Sequence, residues 1–249
     1  MNRIPVDRIP QLPESLNPYT AGSALYDSSC SREARVWFSD FEGGIYIKTA
    51  PAGTLKTEAD MNAFFHSRQM GAEVLSYLSG DADWMVTRAL AGEDCIHPKY
   101  LEDPKRLSET LGTLLRQLHE TDPSGCPVPN RNETYIATVI RNHDGCTAPN
   151  TEQAWDIARQ NLNCLDSGVL LHGDYCLPNV MLDNWRFSGF IDVGFGGIGD
   201  RHIDLYWGCW SLLFNLKDSR WCSRFLDAYG RRDVDLKKLR IIDAFEAFG

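Results

Sequence analysis

From Ala34 the chain alternates between apolar and polar positions. Ala34 to Phe38 and Ile45 to Lys48 read as two strands joined by a turn at Asp40 to Gly44, with Lys48 closing the second. The residues before them, 1 to about 25, are polar and Pro-rich without a period, which predicts an irregular arm packed on the first lobe. Leu55 to Arg68 is helical in pattern, with Glu58 in its first turn, and Val74 to Leu78 and Trp84 to Thr87 are two more strands about Gly80-Asp81. Arg88 to Cys95 reads as a linker with Gly92 as its hinge. Thereafter the period becomes helical: Leu107 to Glu120 places apolar residues at 107, 111, 114, 115 and 118 on one face, and Pro123 and Gly125 close it. Asn130 to Ser167 is polar and predicts only a short helix near Glu152 to Leu165. The apolar run Gly168 to Leu171 is followed by Val180 to Leu182 and Phe187 to Ile191, a hairpin about Asp183-Asn184. Three helices complete the pattern, over Asp200 to Leu216, Ser219 to Tyr229 with Gly230 as its stop, and Leu236 to Phe248. Strands with one helix, then helices around a hairpin, predict an α+β fold of two lobes. Residues 1–87 form a small β-rich N-lobe and residues 88–249 a larger, mostly helical C-lobe.

Composition narrows the function classes. The 249 residues are 43% hydrophobic and 24% charged, ordinary for a globular chain able to bury a core. A net charge of −9 argues against a nucleic-acid partner and suits cationic ligands. No apolar run approaches the roughly eighteen residues of a membrane span, and the N-terminal stretch lacks an apolar signal core, so the expected location is the cytoplasm. The eight cysteines contain no Cys-x-x-Cys pair, which removes the usual zinc and thioredoxin-like readings.

The chemistry-bearing residues concentrate in one stretch, Leu170 to Gly194. Asp174 ends His172-Gly173-Asp174, Asn179 follows five positions later, and Asp192 stands at the end of the hairpin. Phosphoryl transfer needs a base for the attacking hydroxyl and oxygen ligands for magnesium, and the protein-kinase catalytic loop sets its Asp and Asn at this same spacing with a later Asp for the metal. The plain alternative is a loop whose Asp and Asn only form turns; the ordered recurrence of all three elements around a hairpin weighs against it. Lys48, on a strand before a helix carrying Glu58, has the placement of the lysine that pairs nucleotide phosphates, with Lys56 its main competitor. The hydroxyl-rich Asp27 to Ser31 segment could close over phosphates but has no glycine. Gly53 to Thr57 is not a Walker A loop, because Leu55 replaces the glycine needed before the lysine. Thr87 and Ala89 are placed for backbone contact with a base, and His119 reads as a packed or capping histidine.

HGDYCLPNVM at 172–181, RFSGFIDVG at 186–194, GDRHIDL at 199–205, LLRQLHE at 114–120 and RFLDAYG at 224–230 together resemble the aminoglycoside 3'-phosphotransferases, kinases of antibiotic resistance with a protein-kinase-like fold. The resemblance implies transfer of the γ-phosphate of ATP or GTP, with Mg2+, to the 3'-hydroxyl of an aminoglycoside. It implies Asp174 as base and Asn179 and Asp192 as metal ligands. Lys48 would sit on the phosphates held by Glu58, Ser31 in the nucleotide loop, and Thr87 and Ala89 at the hinge. Asp200 and Asp204 would be braces of the metal loop and the following helix. The acceptor half departs from the family pattern: Phe195, Trp210, Phe214, Asn215 and Ala244 stand where arginine and acids are usual. This leads to an expectation of weak turnover with highly cationic drugs, and to the alternatives of a less cationic small-molecule acceptor or a nucleotide-binding pseudokinase. The set Lys48, Asp174, Asn179 and Asp192 argues against the last.

Overall fold

The computed structural model describes residues 3–30, 34–145 and 151–248. Its contacts fall into two units, Met1–Gly92 with Met181–Gly194, and Glu93–Val180 with Phe195–Gly249. The units thus interleave along the sequence, whereas the pattern reading divides the chain once, after residue 87.

The first unit is built on a six-stranded antiparallel sheet. Its strands are β1 (Ile4–Val6), β2 (Leu25–Asp27), β3 (Arg35–Ser39), β4 (Ile45–Pro51), β5 (Val74–Ser79) and β6 (Ala82–Arg88), in the order β1-β2-β3-β4-β6-β5. The N-terminal segment is therefore not an irregular arm alone, because β1 and β2 extend the sheet edge. Strands of three residues carry too little alternation to register as a pattern. Alternation sorts the two faces. Trp37, Ile47 and Val86 are cross-strand neighbours and pack with Ile45, Trp84, Ile9 and Leu16, the Trp37 and Trp84 rings stacking at 6.1 Å. Lys48 lies opposite Met85 on the other face, where Met85 packs on Leu55 and Ala59. Lys48 is mid-strand rather than at a strand end, since β4 continues to Pro51. Helix α1 (Lys56–Ser67) covers this face, and the buried Asp83 carboxylate accepts the Leu55 N–H at its start, 2.9 Å.

The hairpin is β9 (Val180–Asp183) and β10 (Arg186–Phe190), turned by Asn184 and Trp185 at φ 49° and 68°, the double left-handed turn that matches strand twist.

The second unit opens with a two-residue strand β7 (Glu93–Asp94), then α2 (Pro98–Leu101) and α3 (Pro104–His119). Asp103 caps α3 by accepting the Arg106 N–H, Pro104 occupies the first turn, and all five expected apolar positions are buried. Then follow α4 (Arg131–Asp144), α5 (Glu152–Gln160), β8 (Val169–Leu171) paired antiparallel with β11 (Gly197–Gly199), α6 (His202–Leu216), α7 (Arg220–Tyr229) and α8 (Leu236–Glu246). Gly112 of α3 lets α7 approach, because a Cβ there would collide with the Phe225 carbonyl. Helix α4 departs from the expectation of a polar stretch with one short helix. Only Val139 of α4 is fully buried, so its apolar stripe is narrow, yet Tyr135, Ile136 and Val139 pack against Ile242, Phe245 and Phe248. No helix among the described residues is long and apolar enough to cross a membrane.

Candidate active site

In the first unit, Lys48 Nζ donates to both Glu58 carboxylate oxygens at 2.8 Å and to Asp192 Oδ1 at 3.1 Å. Glu58 reaches it because the first turn of α1 lies over the Lys48 face of β4. Burial works against the lysine's charge, but Asp192 and Glu58 outweigh it and raise its pKa above the ordinary lysine value. Burial pushes Glu58 upward, opposed by Lys48 and assisted by Asp192. Asp192 adopts φ 56°, a conformation that costs a non-glycine residue energy and concentrates at functional positions. Its side chain remains about half exposed, so this carboxylate has a free side. Lys56, the competing lysine, pairs with Asp60 on the exposed face of α1.

In the second unit, the His172–Asn179 loop follows β8. Asn179 donates its Nδ2 to the Asp174 carboxylate at 2.8 Å and to the Asp174 carbonyl at 2.9 Å, which leaves its amide oxygen turned from Asp174. His172 is fully buried, and its Nδ1 accepts the Asp174 N–H at 3.2 Å. Gly173 has φ 85°, and a Cβ there would strike the Phe195 backbone.

What holds this loop is Asp204. Its fully buried carboxylate accepts the N–H groups of His172 and Gly173, at 2.8 and 2.7 Å, and faces His119 Nε2 at 3.1 Å. Burial lowers the His119 pKa against the pull of Asp204. The neutral ring then donates Nε2–H to Asp204 and accepts at Nδ1 from the Tyr229 hydroxyl, 2.8 Å away, while Arg201 donates to that hydroxyl. Two turns along α6, Ser211 Oγ accepts the Leu177 N–H at 3.0 Å. One face of α6 thus fixes both ends of the loop. The brace function expected of Asp204 falls on the His172–Gly173 backbone rather than on the segment after Asp192. Asp200 accepts from His202, Lys238 and the Asp166 N–H, joining the start of α6 to α8. Ser211 was not singled out from sequence; its seven-residue spacing from Asp204 was the available signal.

Ser31 lies outside the described residues. Thr87 is laddered between Tyr46 and Val74, and the Ala89 N–H is already donated to the Gly44 carbonyl at 3.0 Å.

On the same unit as Asp174, Trp210 and Phe214 are exposed by 43% and 57% and stack at 5.1 Å, and Phe195 is 65% exposed. Asn215 instead bonds the Ser211 carbonyl. Ala244 is a core residue of α8, so it does not stand in for a missing drug-facing acid. The acids of this tail lie on the other side of the helix. Asp243 accepts from Tyr206, and Glu246 accepts from Tyr135 at 2.6 Å. Burial pushes Glu246 up to about 7, opposed by hydrogen bonds from Tyr135 and Trp207 and assisted by the charge of Asp174.

A sheet-rich unit carrying a buried Lys–Glu pair and a helical unit carrying a braced His-Gly-Asp loop define a protein-kinase-like fold. The solved structure of an aminoglycoside-3'-phosphotransferase of type VIII superposes with a TM-score of 0.77 at 22% identity, covering 94% of this chain and 97% of that one. An aminoglycoside phosphotransferase of Streptomyces rimosus, in complex with ADP and streptomycin, does so at 0.69 and 22%, covering 86% and 90%. Residues 33–242 match the phosphotransferase enzyme family. A probable aminoglycoside 3'-phosphotransferase of Lactococcus lactis subsp. lactis (strain IL1403) is 40% identical over 252 residues, 97% of this chain and 96% of the relative. The chain belongs to this family of phosphotransferases, among the aminoglycoside 3'-phosphotransferases, and is a small-molecule kinase.

Proposed function

We propose that the protein transfers the γ-phosphoryl group of ATP or GTP to a hydroxyl of an aminoglycoside, the 3'-hydroxyl by analogy with its relatives. The observation that carries the donor half is the charge arrangement at Lys48. A buried ammonium is held by Glu58 and shared with Asp192, ready for phosphate oxygens. Asp174 is the base that takes the proton of the acceptor hydroxyl, and Asn179 keeps its carboxylate oriented.

Asp192 and Asn179 suit Mg2+: one is a carboxylate with a free side, the other an amide oxygen turned from its hydrogen-bonding partner. Both are hard oxygen donors, and magnesium beside a nucleotide takes few protein ligands and completes its shell with phosphate and water. When bound, the ion supplies charge neutralisation on the β- and γ-phosphates. Ser31, Thr87 and Ala89 remain candidate nucleotide contacts, Ala89 through its carbonyl because its N–H is in use. The reaction is placed in the cytoplasm, where nucleoside triphosphates are held.

The acceptor surface supports a drug with fewer ammonium groups than kanamycin. The exposed Trp210–Phe214 stack offers an apolar face for a sugar ring, while Asp243 and Glu246 remain as acidic side chains, the pKa of Glu246 raised by burial. A coupled assay of nucleotide consumption, run over aminoglycosides of graded charge and over neutral glycosides, tests this. Turnover that rises from kanamycin to less cationic acceptors is expected. A micromolar KM for kanamycin with ordinary kcat overturns the acceptor reading, and no turnover with any aminoglycoside overturns the substrate class.

A further inference from the structure

Cys209 on α6 and Cys222 on α7 meet where the two helices pack. The Cys222 thiol donates to the Cys209 carbonyl oxygen at 3.2 Å, and the two side chains are close enough to shift each other's pKa in opposite directions. Both residues are partly accessible. The sequence offers no reason to pair them, since they are thirteen positions apart and belong to no motif. Their meeting is a consequence of the tight α6–α7 turn, in which Lys217 takes a left-handed conformation, and of Gly208, whose missing side chain lets the Phe225 ring of α7 sit against α6.

We propose that Cys209 and Cys222 are a redox modification site: a hydroperoxide converts them to an intramolecular disulfide that staples α6 to α7. The chemistry divides between the two sulfurs. Cys222 attacks the peroxide; its S–O bond forms as the O–O bond breaks, giving a sulfenic acid and, with hydrogen peroxide, one water. Cys209 then attacks the sulfenic sulfur. The S–S bond forms, the S–O bond breaks, and the departing hydroxide leaves as a second water with the Cys209 proton. Two thiols lose two electrons and the peroxide gains them; a dithiol reverses the step by exchange.

The division of roles follows the surroundings. The neighbouring Cys209 side chain lowers the Cys222 pKa against its burial, which favours the nucleophilic thiolate. Cys209 is raised, first by Cys222 and then by burial. The buried Cys95 and Cys176 are both pushed upward, chiefly by burial, which leaves them inert. Among the described residues, exposed Cys30 and the partly accessible Cys126 and Cys164 compete for the oxidant. Helix α6 is also the element whose Asp204 and Ser211 fix the His172–Asn179 loop, so the staple would hold the support of that loop rather than touch the loop itself.

The test is peptide mapping of the whole protein after a small excess of hydrogen peroxide, without reductant. Trypsin releases Cys209 in the peptide 202–217 and Cys222 in 221–224. The expected result is these two peptides joined, with a loss of two hydrogen masses, separated again by dithiothreitol. The oxidised protein should also melt about 5 °C or more above the reduced one, since the bond closes a short loop and limits the unfolded chain. C30S removes the exposed competing thiol and should leave the link unchanged, whereas C209S and C222S should each abolish it. Sulfinic acid at Cys222 without a link, a link to any other cysteine, or a melting temperature unchanged or lowered by the link would overturn the proposal. The mapping is read on the native sequence, so it stands if a serine variant fails to fold.

Discussion

Two carboxylates hold Lys48, and they do different work. Glu58 is buried and bidentate, so it fixes the ammonium; Asp192 touches it with one oxygen and keeps the other side open. Asp192→Ala is therefore expected to abolish metal-dependent turnover while leaving Lys48 paired with Glu58. Calorimetry that finds magnesium–nucleotide binding unchanged in that variant would remove its metal role. Asp174→Asn is expected to keep the fold and nucleotide affinity and to lower kcat by about 10²-fold or more, the usual loss with a general base. Near-normal turnover would show that Asp174 is not the base. Asp174 and Asn179 were legible because their spacing is local, Asp192 because it closes a hairpin, and Lys48 with Glu58 because a strand is followed by the first turn of a helix. Ser211, Asp243 and Glu246 were not, because their partners lie far along the chain, as Tyr135 does from Glu246.

At the scale of elements, legibility followed the breadth of the apolar face. Helix α3 buries five evenly spaced apolar residues, and its pattern declares it. Helix α4 has a narrow stripe, and β1 and β2 are too short to alternate; tertiary packing, rather than periodicity, sustains them. The connection with chemistry runs through α6. Its inward face places Asp204 and Ser211 two turns apart, with Gly208 between them, and so clamps the loop that carries Asp174. Asp204→Asn is expected to destabilise the fold by about 2–4 kcal/mol. It leaves the His172 and Gly173 amides and His119 sharing a neutral acceptor in place of a buried charge. Chemical denaturation measures the loss. A drop in kcat larger than the drop in folded fraction would show that the clamp positions the loop. Ser211→Ala removes one neutral bond and should cost about 1 kcal/mol.

Across the molecule, Glu246 joins three helices and the proposed acceptor surface, and it sets a pH dependence whose sign can be worked out. It is received by Tyr135 of α4 and Trp207 of α6, with Tyr206 and Asp243 nearby and the charge of Asp174 acting on it. Folded, the carboxyl holds its proton up to about 7, first because of burial; unfolded, it releases it near about 4.3. Below that lower value both states are protonated, and Glu246 adds no pH dependence. Between the two values unfolding releases a proton, so stability falls as pH rises, and the loss is complete once pH passes the folded value. Glu246→Gln keeps a hydrogen-bond acceptor for Tyr135 but cannot ionise. It is expected to stabilise the protein by about 3 kcal/mol at pH 8 and by about 1 kcal/mol at pH 5. Paired denaturation curves at those two pH values measure the difference. A variant that is equally stable, or weaker, at pH 8 would mean that Glu246 is charged at little cost in the native protein. The carboxylate would then already be present at neutral pH to meet an ammonium group, and the surface around Asp243 and Glu246 would favour more cationic acceptors than its exposed aromatic residues suggest.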